Sequence, residues 1–123
     1  RFRPIAVSIE TKTPDGSSQE AKSQLSVWTA AYIARLRELA GTSEKASGLG
    51  ITLPIILVRG GQWELLFATD RADRIDLFPV ATIGDTKSIV ECYKVVALLR
   101  WLAVWSVTTF QRWMKDNAMS IQQ

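Results

Sequence analysis

The chain has 123 residues, 47% of them apolar and 22% charged, with a formal net charge of +3. That length fits one domain around one core, and the mild basicity is compatible with an anionic partner without requiring one. With no histidine and a single cysteine, Cys92, the composition excludes imidazole general bases, catalytic triads, histidine-ligated metals and an internal disulfide. Any bound metal takes oxygen ligands, which favours Mg²⁺ or Mn²⁺. The cysteine usage favours an intracellular, reducing compartment, cytoplasm or nucleus.

The sequence opens at Arg1 and enters a strand-forming run almost at once, with no signal or transit pattern ahead of it. This sets the expectation that the chain is the C-terminal part of a larger domain. Residues 5–12, IAVSIETK, are the first strand. Side chains two apart share a strand face, so Ala6, Ser8, Glu10 and Lys12 line one side and Ile5, Val7, Ile9 and Thr11 the other. The second face is apolar and suits a core; the first ends in a carboxylate beside an ammonium. Thr13-Pro14-Asp15-Gly16 is a turn, and Ser17 with Glu20 makes a capping-box pattern. A helix is predicted over 18–40. Leu25, Trp28, Tyr32, Leu36 and Leu39 form its apolar stripe, Arg35, Arg37 and Glu38 lie off it, and Gly41 ends it. Residues 42–50 are small and polar, a mobile surface loop.

The run 53–59, LPIILVR, reads as a buried strand, and Gly60-Gly61 as a two-residue hairpin loop. Residues 62–69 alternate as the next strand, 70–74 form a charged connection, and 75–80 make a weaker strand placed at an edge by Pro79. Asp85 or Ser88 caps a second helix that runs to Asp116, about 45 Å at 1.5 Å per residue. It is apolar nearly all round, yet Glu91, Lys94 and Arg100 interrupt any membrane span. A helix apolar on several faces needs several neighbours, so a homo-oligomeric partner or a missing N-terminal segment is expected to cover it. Cys92 reads as a small buried hydrophobe. Trp101, Trp105 and Trp113 read as packing aromatics ahead of base-stacking platforms. The order strand, helix, strand, strand, strand, helix gives a mixed β-sheet flanked by helices, a single α/β domain.

Glu10, Lys12 and Gln24 carry the chemistry. A carboxylate binds a hard cation, a lysine beside it orients water or meets phosphate charge, and an amide supports either. Gln24 lies early in the first helix, next to the stripe that packs on the sheet. The plain alternative is a solvated ion pair worth about 0–1 kcal/mol. Arg35, Arg37, Lys45 and Arg59 are basic enough to touch phosphates but read as solvated surface.

The segment PIAVSIETKTP over 4–14, then Gln24, Leu25 and Trp28, then Gln62-Trp63 and a tryptophan-rich final helix, resembles the PD-(D/E)xK nuclease-like superfamily, most closely a fungal branch. The resemblance covers nearly the whole chain. It implies a restriction-endonuclease-like core lacking its N-terminal part. It implies Mg²⁺- or Mn²⁺-dependent hydrolysis of phosphodiester bonds in DNA or RNA, with Glu10 as metal ligand, Lys12 as catalytic lysine and Gln24 as the accompanying glutamine. That superfamily also uses an aspartate on a preceding strand. Pro14-Asp15 follows the lysine in a turn and does not replace it, so metal binding by this chain alone is expected to be poor. Two other readings share the scaffold: a degenerate module for protein–protein assembly, and a pocket reused for a small-molecule reaction.

Overall fold

A computed structural model of the chain describes residues 5–12, 18–41 and 48–119. The turn over 13–16, Ser17 of the capping box, Lys45 and most of the loop over 42–50 lie outside the described residues. Strand β1 (Ser8–Lys12) is followed by helix α1 (Ser18–Ala40), strands β2 (Thr52–Arg59), β3 (Gln62–Asp70) and β4 (Ile75–Asp85), and helix α2 (Ile89–Trp105). The strands form one sheet in the order β1-β2-β3-β4. β1 and β2 run parallel, and the other pairs are antiparallel. Parallel neighbours need a long crossover, and α1 is that crossover. Gly60, at φ +63°, turns β2 into β3 with a positive φ at the first loop position, as in a type II′ hairpin.

β2 is buried on both faces, which explains its unbroken apolar run. Leu53, Ile55 and Leu57 pack with Leu25, Ile33 and Leu36 of α1, and Ile56 and Val58 pack with Leu65 and with Leu102 of α2. Beyond Trp105 the chain stays helical through a π-type turn (Ser106–Phe110), one α-turn (Gln111–Met114) and a second π-type turn (Lys115–Met119). A π-turn adds a residue and shifts the helix phase. Accordingly Leu102 serves the α2 side of the sheet, whereas Phe110 and Met114 join the α1 cluster. Ser106 Oγ and Thr108 Oγ1 donate to the carbonyls of Leu102 and Val104, at 2.8 and 2.7 Å, the back-bonding that accompanies bent helices. The single α-helix expected to reach Asp116 is therefore uninterrupted α only to Trp105.

Three further expectations are corrected. The face of β1 carrying Ile5, Ile9 and Thr11 is not core: Ile9 is 50% exposed, and only Val7 packs inward on that side. β1 is an edge strand and α2 lies on β4, at the opposite edge, so nothing among the described residues covers Ile9. β4 extends five residues past the expected end, to Asp85, because β3 continues to pair with it. Cys92 is half-buried, its Sγ donating to the Thr86 carbonyl.

Asp70, expected in the charged connection over 70–74, belongs to the sheet instead. It ends β3 and is buried. Its carboxylate accepts from Arg37 Nε at 2.7 Å and from Arg37 Nη2, and from the backbone N–H groups of Leu49 and Ala72, both at 3.0 Å. Arg37 also donates to the Ala72 carbonyl. A Cβ on Gly48, at φ +76°, would sit 2.5 Å from the Asp70 carbonyl oxygen, so the chain passes here only as glycine. This clamp joins the end of α1, the approach to β2 and the β3–β4 connection.

Arg37, followed by the backbone N–H groups, holds the Asp70 carboxyl below the usual range although burial opposes it. A group whose pKa is lower folded than unfolded stabilises fully above its unfolded value, near 4, and loses that contribution as pH falls through the folded value. Arg37→Met is expected to cost about 3 kcal/mol at neutral pH, the low end for a broken buried pair because the guanidinium is partly solvated. Urea titrations at decreasing pH should show the deficit shrink as Asp70 protonates. A deficit independent of pH would assign Arg37 a packing role only.

Candidate active site

Glu10 and Lys12 project from the same face of β1, the face under α1. Their neighbours in register on β2 are Leu57 and Arg59. Leu25, 1% exposed, anchors the second turn of α1 in the core, which leaves its neighbour Gln24 at the surface beside the end of β1. Lys12 Nζ donates to Gln24 Oε1 and stands 3.7 Å from Glu10 Oε1. The three residues singled out from the sequence thus form one chain of contacts, Glu10 to Lys12 to Gln24. The lysine and glutamate side chains are 25% and 42% exposed, open enough for a ligand to reach both.

The start of β1 is held by Tyr32, which the sequence offered only as a core residue. Its hydroxyl accepts from the Ile5 N–H at 2.6 Å and donates to the Ile5 carbonyl at 2.7 Å. Burial pushes the phenol above its ordinary pKa, so it remains a donor at neutral pH. Trp28, half-exposed, stacks on Tyr32 at 5.3 Å. A cavity of about 10 Å³ lies under this pair, lined in part by Ser8, Thr29 and Tyr32, and Thr29 Oγ1 is buried there without a partner among the described residues. Larger concavities, of about 320 Å³, lie on the C-terminal helical segment around Arg112 and Asp116, apart from the three site residues.

Among the described residues no group of three or more His, Cys, Asp or Glu side chains is placed to hold a metal ion. Glu10 is the one carboxylate of the trio. Mg²⁺ binds through one or two carboxylates plus waters and substrate phosphates, so Glu10 fits such an ion as a single ligand, not as part of a closed cage. Among the described residues no helix is long and apolar enough to cross a membrane.

A mixed sheet flanked by helices, with Glu-x-Lys closing a strand and a glutamine on the crossover helix, defines a restriction-endonuclease-like α/β fold. The family model described as the PD-(D/E)XK nuclease superfamily matches residues 1–111. The chain belongs to that superfamily, whose nucleases generally use divalent metals. No curated protein and no solved structure matches it significantly.

Because Gln24 is exposed, Gln24→Ala is expected to leave stability within about 0.5 kcal/mol. It should nonetheless free the Lys12 ammonium, seen as faster exchange with water in lysine-selective nitrogen NMR. An unchanged Lys12 signal would show that the contact does not persist in solution.

Proposed function

We propose that the chain carries out metal-dependent hydrolysis of phosphodiester bonds in DNA or RNA, in the cytoplasm or nucleus. The observation that supports this most is the Lys12 ammonium lying between Glu10 and Gln24, within the segment that matches the nuclease family. Glu10 would hold Mg²⁺ or Mn²⁺ near the C-terminal end of β1. When bound, the ion supplies a water of lowered pKa and neutralises charge on the attacked phosphate. Lys12 orients the attacking water and meets the negative charge that develops on the phosphoryl oxygens. Gln24 fixes the ammonium so that little reorganisation is needed at the moment of attack. With one carboxylate, Glu10 alone would hold such an ion weakly.

Nuclease assays on DNA and RNA with Mn²⁺ test this. Glu10→Ala and Lys12→Ala are each expected to lower the rate about 10²–10³-fold, and a chelator should abolish it. Wild-type activity in both variants would discard the mechanism.

A second reading, a non-catalytic assembly module, is favoured by the outer face of the C-terminal helix. Val90, Tyr93, Trp101, Val104 and Val107 are all exposed, Trp101 at 58%, and apolar faces of this kind mark interfaces. In this reading a second copy of the chain covers the helix. Sedimentation velocity should then show a dimer that Trp101→Glu dissociates, with no cleavage by either species. A wild-type monomer at all concentrations would remove this reading.

A further inference from the structure

We infer that Arg59 is a second phosphate-binding cation of the same site, and that the ligand is a strand presenting two consecutive phosphates. The inference rests on the nucleic-acid reading above and names a contact that it lacks.

Arg59 closes β2 and is the in-register partner of Lys12 on β1. Registered partners on adjacent parallel strands point to the same face, and the strands lie about 4.8 Å apart. The intervening Val58 packs into the cluster on the opposite face, which puts Arg59 on the side of Leu57, Glu10 and Lys12. The Gly60 N–H donates to the Lys12 carbonyl, so the pairing holds to the strand ends. Two long cations therefore stand side by side, half-buried, at the carboxyl ends of two parallel strands. That end of an open α/β sheet is where ligands bind.

Glu10 faces Lys12, but among the described residues the Arg59 side chain has no ion pair or hydrogen bond. Glu64, diagonal to it on β3, makes no salt bridge with it. Like charges on directly neighbouring strand positions are destabilising, and a bound anion removes that cost. The Lys12 head takes the scissile phosphate, and the Arg59 guanidinium, a planar fork suited to phosphate oxygens, takes the next one along the strand.

The test is fluorescence anisotropy with fluorescein-labelled single-stranded DNA and RNA oligonucleotides, without divalent metal, across a salt series. Removing one phosphate contact lowers the slope of log affinity against log salt by about 0.7 on a single strand. Arg59→Gln should show that drop, Arg59→Lys should recover most of it, and Arg112→Gln, beside Trp113 at the other end of β2, should not change the slope. A slope lowered by Lys12→Gln but not by Arg59→Gln overturns this assignment and leaves the nuclease reading standing. A slope altered by neither variant overturns both. Melting curves of each variant confirm that the fold is retained.

Discussion

The parallel pairing of β1 with β2 is the constraint from which the candidate site follows. Parallel strands cannot be joined by a tight turn, so the chain returns through α1, which covers one face of the pair. The face it covers carries Ser8, Glu10 and Lys12, not the apolar one. Leu25, Ile33 and Leu36 lock the helix onto Leu53, Ile55 and Leu57. With the helix so held, the position before Leu25 falls beside the strand's last residue, and Gln24 meets Lys12. The crossover that satisfies the sheet's topology thus also assembles the polar trio.

Two ion pairs in the molecule differ in burial, one closed within the scaffold and one open at the candidate site. Arg37–Asp70 is closed: the carboxylate is buried and bonded to the guanidinium and two backbone N–H groups. Such a pair, fully satisfied, orders the connections around it. Glu10–Lys12 is open: at 3.7 Å and partly exposed, it stabilises the fold by about 0–1 kcal/mol at most. A carboxylate and an ammonium held near each other but not consumed by each other are free to engage an ion, a water or a phosphate.

The C-terminal helical segment links the two faces of the sheet. Its α-helical part buries Leu102 against Ile56 and Val58, and from the end of the π-type turn onward Phe110, Met114 and Trp113 pack toward α1, with Trp113 Nε1 donating to the Leu49 carbonyl at 3.0 Å. This crossing uses only part of the helix surface. Trp105 and Trp113 are half-buried and Trp101 is exposed, so the three tryptophans, uniform in the sequence, do different work.

Local pattern alone was enough to read the strand bearing Glu10 and Lys12, the helix over 18–40, the glycine hairpin and the α/β class, because strand alternation, helical periodicity and turn chemistry are short-range properties. The trio Glu10, Lys12 and Gln24 was legible too, since a spacing of two on a strand and a position beside a helix's core stripe each specify a direction. Only tertiary structure decided which face of β1 is covered, because at a sheet edge burial depends on where the helices lie and not on how apolar the residues are. The same holds for Asp70, whose partners Arg37, Leu49 and Ala72 stand up to 33 residues away, and for the alignment of Arg59 with Lys12. Long-range register sets both, and no local pattern encodes it.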